Sequence, residues 1–447
     1  MNSEALARAV IAKLRGAGHQ AFLVGGCVRD LLLECAPKDF DVATDARPDR
    51  IMDLFPNSGR VGAQFGVVLV RDFFSQVEVA TFRSDCDYSD GRRPDTVHFE
   101  TDPRQDVLRR DFTINGLMLD PDTGEVLDFV GGRADLERRV IRAIGDADAR
   151  IGEDHLRLLR AIRFAARLGF EIDPATFEAI RRHHALIQKV AAERIRDEIA
   201  RILTEGGARR GFELLDASGL LAEVLPEVAA MKGVAQPPEF HPEGDVWVHT
   251  LMLLERLDHA SVTLALGALL HDVGKPPTFR VADRIRFDRH AEVGAEMTRA
   301  ILNRLRFSRD VIEQVEALVA DHMKFMNVSR MRESTLKRFL RKPDFGELLE
   351  LHRIDCMAGS RDLKNYDLVR VKLAEFPEEH LKPEPLLTGD DLIAAGYKPG
   401  PQFAKMLTAV EDAQLEGSIR TCGEALRLVR ERFGRLRSTD SRKSPGA

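Results

Sequence analysis

Two glycines followed by two closely spaced aspartates constrain this chain more than any other feature. In LVGGCVRD, residues 23–30, Gly25 and Gly26 make a tight backbone turn ahead of a helix expected to start near Val28. Just downstream, KDFDVATDA sets Asp39 and Asp41 one residue apart. If residues 40–42 form a short strand, alternation sends Phe40 to one face and both aspartates to the other. Two carboxylates on one face repel unless a cation lies between them, so the pair reads as a magnesium site. Gly25 and Gly26 let backbone N–H groups approach a triphosphate, and the helix N-terminus adds its dipole. The plain alternative is a turn beside a solvated acidic loop. Both pieces together, with Arg29 between them, favour nucleotidyl transfer.

Further motifs follow in order: TFRSDCDYSDGRRPDTVHF at 81–99, RRDFTIN at 109–115, EDHLRLLRAIRFAARLGF at 153–170 and ERIRDEI at 193–199. With the run 22–46, these resemble the class II tRNA nucleotidyltransferases, a family of the DNA polymerase β superfamily that also contains bacterial poly(A) polymerases. The resemblance covers about the first 230 residues. The segment 387–433, beginning LLTGDDLIAAGYKPG, is similar to the tail of bacterial enzymes that finish tRNA 3′ ends.

With 447 residues the chain has room for two to four domains with ordinary cores. No apolar run approaches the roughly 18 residues needed to cross a bilayer, and charges interrupt the amphipathic amino terminus. Five cysteines without CxxC spacing argue against a disulfide framework or zinc ribbon. A cytoplasmic protein with no membrane partner is expected. The net charge of −6 speaks against a uniformly basic nucleic-acid binder, so any RNA must be steered by local patches. One such patch is Arg157, Arg160, Arg163 and Arg167, which fall within about a third of a helix circumference beside an apolar face. The alternative for that row is an exposed basic stripe with carboxylate partners.

The chemistry follows from the physics of phosphoryl transfer. Asp39 and Asp41 would hold Mg2+ to activate an RNA 3′-hydroxyl and neutralise the leaving pyrophosphate, with Glu78 as a candidate third carboxylate. Gly25, Gly26 and Arg29 would hold the triphosphate. By the resemblance, Arg110 contacts the nucleotide, while Asp111 is equally readable as a structural partner buried with Arg109. Asp154 and Arg157, at i and i+3, can present an acceptor and a donor to a base edge. Cytosine and adenine share an exocyclic amine beside a ring-nitrogen acceptor; guanine and uracil carry the opposite pattern. The resemblance implies that these two positions serve as an amino-acid template, and Arg160 and Arg163, from the arginine row, are candidates to bind the nucleotide beside them. A plain i, i+3 ion pair is the alternative. The polar segment 83–97 is the loop that, by resemblance, C-only members lack, which favours an enzyme that also adds A.

A second constellation lies past a proline-rich break near 235–245. His249, His271 and Asp272 (in LLHDVGKPPTF), His290, His322 and Asp355 resemble the HD phosphohydrolases. His249, His271, Asp272 and Asp355 would form one mixed N/O site for Mg2+, Mn2+ or Ni2+, with His290 and His322 completing a second. His241 and His259, outside any such motif, read as satisfied core histidines.

The expected fold is α+β: a polymerase-β-like nucleotidyltransferase head of mixed sheet and helices, followed by all-α neck, HD-type and tail domains. The division is 1–145 catalytic head, 146–234 neck with base selection and RNA binding, 235–381 HD-type metal domain, 382–435 tRNA-binding tail and 436–447 disordered tail. The expected activity is template-independent addition and repair of the tRNA 3′-terminal CCA from CTP and ATP, with HD phosphatase or 2′,3′-cyclic phosphodiesterase action as an addition. An A-adding enzyme, a poly(A) polymerase, an HD phosphohydrolase with an RNA-binding head and a non-catalytic tRNA chaperone are the alternatives.

Overall fold

The computed structural model describes residues 2–60, 66–86, 96–237 and 244–434. Asn2 caps the first helix, Ser3–Gly16, its side chain accepting from Ala5 N at 2.8 Å. Leu6, Val10, Ile11 and Leu14 then recur at helical spacing and form one buried face. That face covers a sheet. The strands are β1 (Ala21–Val24), β2 (Asp41–Thr44), β3 (Ser58–Arg60), β4 (Val67–Arg71), β5 (Gln76–Thr81), β6 (Arg83–Cys86), β7 (Thr96–Phe99), β8 (Leu117–Leu119) and β9 (Val126–Asp128). Seven of them form one mixed sheet in the order β3-β4-β5-β2-β1-β8-β9, while β6 and β7 pair separately. Among the described pairings of that sheet, β2 with β5 is the parallel one; it sets Asp41 opposite Glu78.

Alternation divides the sheet's residues cleanly. Val42, Val68, Val70, Val77 and Val79 join the first helix in one apolar cluster. Ala43, Val24, Phe82, Val107 and Met118 pack on the opposite face, the face to which Asp41 and Glu78 also belong. Two local expectations are corrected here. The strand runs from Asp41 rather than over 40–42, so Phe40 is buried just before it and Asp39 is exposed on its approach. The helix after the glycines is Gly26–Leu32, two residues earlier than Val28, because Gly25 at φ 73°, ψ −131° makes the whole turn alone.

From residue 147 onward the described chain is helical apart from two short pairings. Val140–Ile141 and Glu171–Ile172 lie parallel, stitching the end of the α/β part to the helices that follow. Phe279–Val281 and Ile285–Phe287 form a hairpin. One hydrophobic cluster runs without a break from the first helix through to Val369. Leu387–Val429 has a cluster of its own, centred on Leu392, Val410, Ala425 and Val429. It is tied to the helix Glu333–Leu340 by Lys337 Nζ on Leu415 O at 2.6 Å and by Arg338 Nε on Glu411 at 2.8 Å. The centre of the expected mobile loop (87–95), most of the EFHPEGD break including His241 (238–243) and the expected disordered tail (435–447) lie outside the described residues.

Candidate active site and metal centre

A cavity of about 700 Å3 opens between the sheet and the helix Arg157–Leu168. Its lining includes Gly25, Gly26, Arg29, Asp39, Asp41, Arg110, Asp154, Arg157, Arg160 and Arg163. Nine arginines and Lys38 face six carboxylates there, so the cavity is positive although the chain is acidic. Glu78 is exposed beside Asp41 on the neighbouring strand. Burial, then the nearby charges of Glu78 and Asp39, push the Asp41 carboxyl up to about 6, opposed by Arg110.

The arginines are held, not loose. Arg29 is buried and donates to Asp30 Oδ1 at 2.8 Å and Asn115 Oδ1 at 2.7 Å. Arg110 pairs with the buried Asp106 at 2.9 Å, and its Nη1 lies where a Cβ on Gly25 would meet it at 3.0 Å. Asp111 is not the partner of Arg109, as one reading expected. Arg109 also bonds Asp106, at 2.6 Å, whereas Asp111 accepts two N–H groups of Arg160 at 2.6 and 2.8 Å. Arg163 is buried between Glu198 (2.7 Å) and Glu205 (3.3 Å), and Arg167 reaches Asp30 at 3.1 Å. The basic row therefore has carboxylate partners and yet lines the cavity. The row is not the exposed stripe of the alternative reading, since Arg163 is buried and Arg157, Arg160 and Arg167 are half-buried.

Asp154 and Arg157 differ most from expectation. They do not share one helical face: Asp154 has extended backbone (φ −139°, ψ 105°) after the helix Ala147–Glu153, and Arg157 opens the next helix. Arg157 bonds Glu153 at 2.6 Å and the carbonyls of Arg150 and Arg109 at 2.8 and 2.9 Å. Asp154 is instead clamped by both terminal nitrogens of Arg194, at 3.1 and 2.9 Å. Arg194 and Arg201 also line the cavity and were missed as individual residues. The motif ERIRDEI was the available signal, but nothing local in it says which carboxylate Arg194 meets.

The second constellation gathers at five helix positions. His249 lies in Val246–Leu254, His271 caps Val262–Leu270, His290 opens His290–Arg304, His322 caps Arg309–Asp321, and Asp355 lies in Phe345–Ala358. Gly274 of the HDVGK run permits this closeness, because a Cβ there would lie 2.1 Å from His290 O. Two trios have ligand atoms all within 4.8 Å: His249, His271 and Asp355, and Asp272, His290 and His322. The head carboxylates do not converge that tightly. The grouping expected from sequence is thus redistributed. Asp272 sits with the second trio, although its Oδ2 is also 3.1 Å from His271 Nε2.

The rings are oriented for ligation. The Nδ1 atoms of His271, His290 and His322 meet the carbonyls of Ala268, Phe287 and Val319 at 3.0, 3.0 and 2.6 Å, which makes each Nδ1 the N–H donor. Each Nε2 then faces inward, toward the other candidate ligand atoms. His271 Nε2 is buried 3.1 Å from Asp272 Oδ2, and the Nε2 atoms of His290 and His322 stand 3.3 Å apart. Burial lowers the pKa of both, His322 to about 4, which favours the neutral form a metal ligand needs. The ionised Asp272, held well below the usual carboxylate range by His271 and Lys275 against its burial, completes a donor set suited to a divalent cation. His259, expected in a core, is almost fully exposed in a turn.

Three family models match in series: the Poly A polymerase head domain over residues 21–142, the probable RNA and SrmB-binding site of polymerase A over 169–232 and the HD domain over 245–356. A CC-adding tRNA nucleotidyltransferase of Thermus thermophilus is 34% identical over 91% of this chain and 92% of its own. The chain belongs to the tRNA nucleotidyltransferase family. A CCA-adding enzyme of Streptococcus pneumoniae is 31% identical over 93% of this chain and 94% of its own. The match to the CCA-adding enzyme of Lactobacillus delbrueckii, 43% identical, spans 50% of this chain and 56% of that relative. Among solved structures, the Bacillus stearothermophilus CCA-adding enzyme in complex with CTP superposes with a TM-score of 0.74 at 26% identity, over 95% of this nucleotidyltransferase and 96% of that chain. No described helix is long and apolar enough to cross a membrane.

Proposed function

We propose that this nucleotidyltransferase adds and repairs the 3′-terminal CCA of tRNA, taking CTP and ATP without a nucleic-acid template. The observation that carries the reading is one positive cavity that holds Asp39 and Asp41 together with Asp154 and Arg157. Asp39, Asp41 and Glu78 would hold Mg2+, as the raised carboxyl of Asp41 among like charges favours. Bound there, the cation supplies the Lewis acidity that activates a 3′-hydroxyl and neutralises pyrophosphate. The backbone at Gly25 and Gly26 approaches the phosphates, and Arg110 and Arg29 supply positive charge beside them. Asp154 accepts from an exocyclic amine and Arg157 donates to the adjacent ring nitrogen, a pattern cytosine and adenine share. Arg194 fixes Asp154 in place with two hydrogen bonds. We read 1–145 as the catalytic head, 146–234 as the base-selecting neck, 235–381 as the HD-type part and 382–435 as the part that grips tRNA.

The two converging histidine–aspartate trios support a second reading alongside the first: a metal-dependent phosphohydrolase, acting on phosphate esters or 2′,3′-cyclic phosphates. His249, His271 and Asp355, and Asp272, His290 and His322, would hold Mg2+, Mn2+ or Ni2+.

The test is incorporation of each labelled nucleotide onto tRNAs ending before CCA, after C and after CC. Asp39→Ala/Asp41→Ala protein runs alongside. The expected result is addition of C, C and A, then arrest, and none by the variant. Arrest after CC would overturn the reading in favour of CC addition; extension of only the CC-ending tRNA would make this an A-adding enzyme.

A further inference from the structure

The tip of the β4–β5 hairpin carries two adjacent phenylalanines, Phe73 and Phe74, which are 95% and 90% exposed. No other large apolar side chain among the described residues is as exposed. Isolated exposed apolar residues are ordinary. Two side by side on a tight hairpin turn are not, since such turns favour Gly, Asn, Asp and Ser. The turn is closed, with Asp72 N on Ser75 O at 2.8 Å and Arg71 paired to Gln76, so the rings are held out from the sheet by its own hydrogen bonds.

The position of the tip gives it meaning. β5 and β2 are parallel, with Glu78 beside Asp41, so the turn that precedes Gln76 lies at the same sheet end as Asp39 and Asp41. Exposed Arg71 and Gln76 fall on the pleat face shared by Glu78, because Val77 and Val79 are buried on the other. A path from Asp41 along that face therefore meets Glu78, then the Arg71 cation, then two aromatic rings. Phe74 is four residues from Glu78, about 13 Å of strand. That is roughly four nucleotides if stacked at ~3.4 Å, or about two if fully extended.

We propose that Phe73 and Phe74 form a stacking platform for the first unpaired nucleotides of the RNA whose 3′ end is being extended. The proposal rests on the function proposed above and adds a binding element to it. Aromatic side chains hold single-stranded bases by their faces, independent of sequence, and a nearby cation engages the backbone. A second copy of this chain is a poorer occupant, since two phenylalanines bury roughly 150–250 Å2 each, far below the ~1,600 Å2 of a stable interface. Held extended, an RNA ending in CC has an unpaired nucleotide about two positions from its 3′ end, at the distance of the tip; one ending before CCA does not. The platform therefore acts on the last addition more than on the first.

The experiment compares full-length wild type, Phe73→Ala/Phe74→Ala and Phe73→Tyr/Phe74→Tyr. The first reading is nucleotide incorporation. The second is fluorescence of CC-ending tRNA carrying 2-aminopurine at its first unpaired position. For the alanine pair, KM for CC-ending tRNA should rise about tenfold, as loss of one base stack predicts, with the effect confined to KM. On tRNA ending before CCA it should rise less than twofold. Wild type should quench the 2-aminopurine, the alanine pair should not, and the tyrosine pair should quench again. An unchanged melting temperature confirms folding of the variants. Equal quenching and equal KM in all three proteins overturn the platform. So does a variant that alters sedimentation while RNA binding is intact, which would mark a protein contact. A wild type that incorporates no nucleotide yet shows quenching lost in the alanine pair would sink the proposed function and leave the platform standing.

Discussion

Asp111 shows how single charges are fixed in this site. It is buried, accepts from Arg160 and Asn115, and its carboxyl is pulled down to about 2 by that pairing in spite of burial. A carboxyl lowered by folding contributes stability that is present above its unfolded value near 4 and is lost as the pH falls through about 2. Asp111→Asn should therefore cost roughly 2 kcal/mol at neutral pH, read by urea unfolding, and that gap should shrink on acidification from about 4 towards 2. A gap independent of pH would show that shape, not charge, matters at this position. Arg194 holds Asp154 by geometry, through two hydrogen bonds at 3.1 and 2.9 Å. Arg194→Ala should reduce the preference for CTP and ATP over UTP and GTP about tenfold in kcat/KM, the scale of one charged hydrogen bond, measured on CC-ending tRNA. Unchanged selectivity would mean that Asp154 is positioned by its own backbone.

At the scale of elements, the two functional regions owe their geometry to close approaches that only glycine allows. Gly274→Ala would drive a methyl group into His290 O and Gly294 N, at 2.1 and 2.6 Å, both backbone atoms unable to yield cheaply. It should separate the helix Lys275–Thr278 from His290–Arg304 and destabilise by several kcal/mol, on the order of 1–3 for overpacking or more. Loss of metal by mass spectrometry should accompany it. Much at this scale was legible in the chain. The glycine turn, the aspartate pair and the HDVGK run are local, and local alternation and turn chemistry fix them. What could not be read were contacts across distance. The Asp41–Glu78 register joins strands 37 positions apart, the Arg194 clamp spans 40 residues, and Asp272 takes its place from helices begun at His290 and ended at His322. Periodicity assigns a residue to a face, but the partner on the opposing face is chosen by packing. The carboxylates paired with Arg160, Arg163 and Arg167 belong to the same class.

Over the whole molecule, the metal centre predicts a stability that depends on ligand. A cation that binds the native trios and not the unfolded chain stabilises by about 2.7 kcal/mol at a hundredfold excess over its dissociation constant. Chelator should lower the melting temperature of wild type and have no such effect on His271→Ala/Asp355→Ala, whose nucleotide incorporation should persist when magnesium is restored. Equal responses of the two proteins would place the stabilising cation elsewhere. The hydrophobic clusters carry a further consequence. The sheet, the helices around the cavity and those that carry the two trios share one uninterrupted interior up to Val369, while Leu387–Val429 keeps its own. Descendants of this chain can repack their carboxyl-terminal segment on its own, provided the ties from Lys337 and Arg338 are kept. The regions that carry the cavity and the two histidine–aspartate trios have no such freedom. A change tolerated by one is tested in the other, and they must drift through sequence space together.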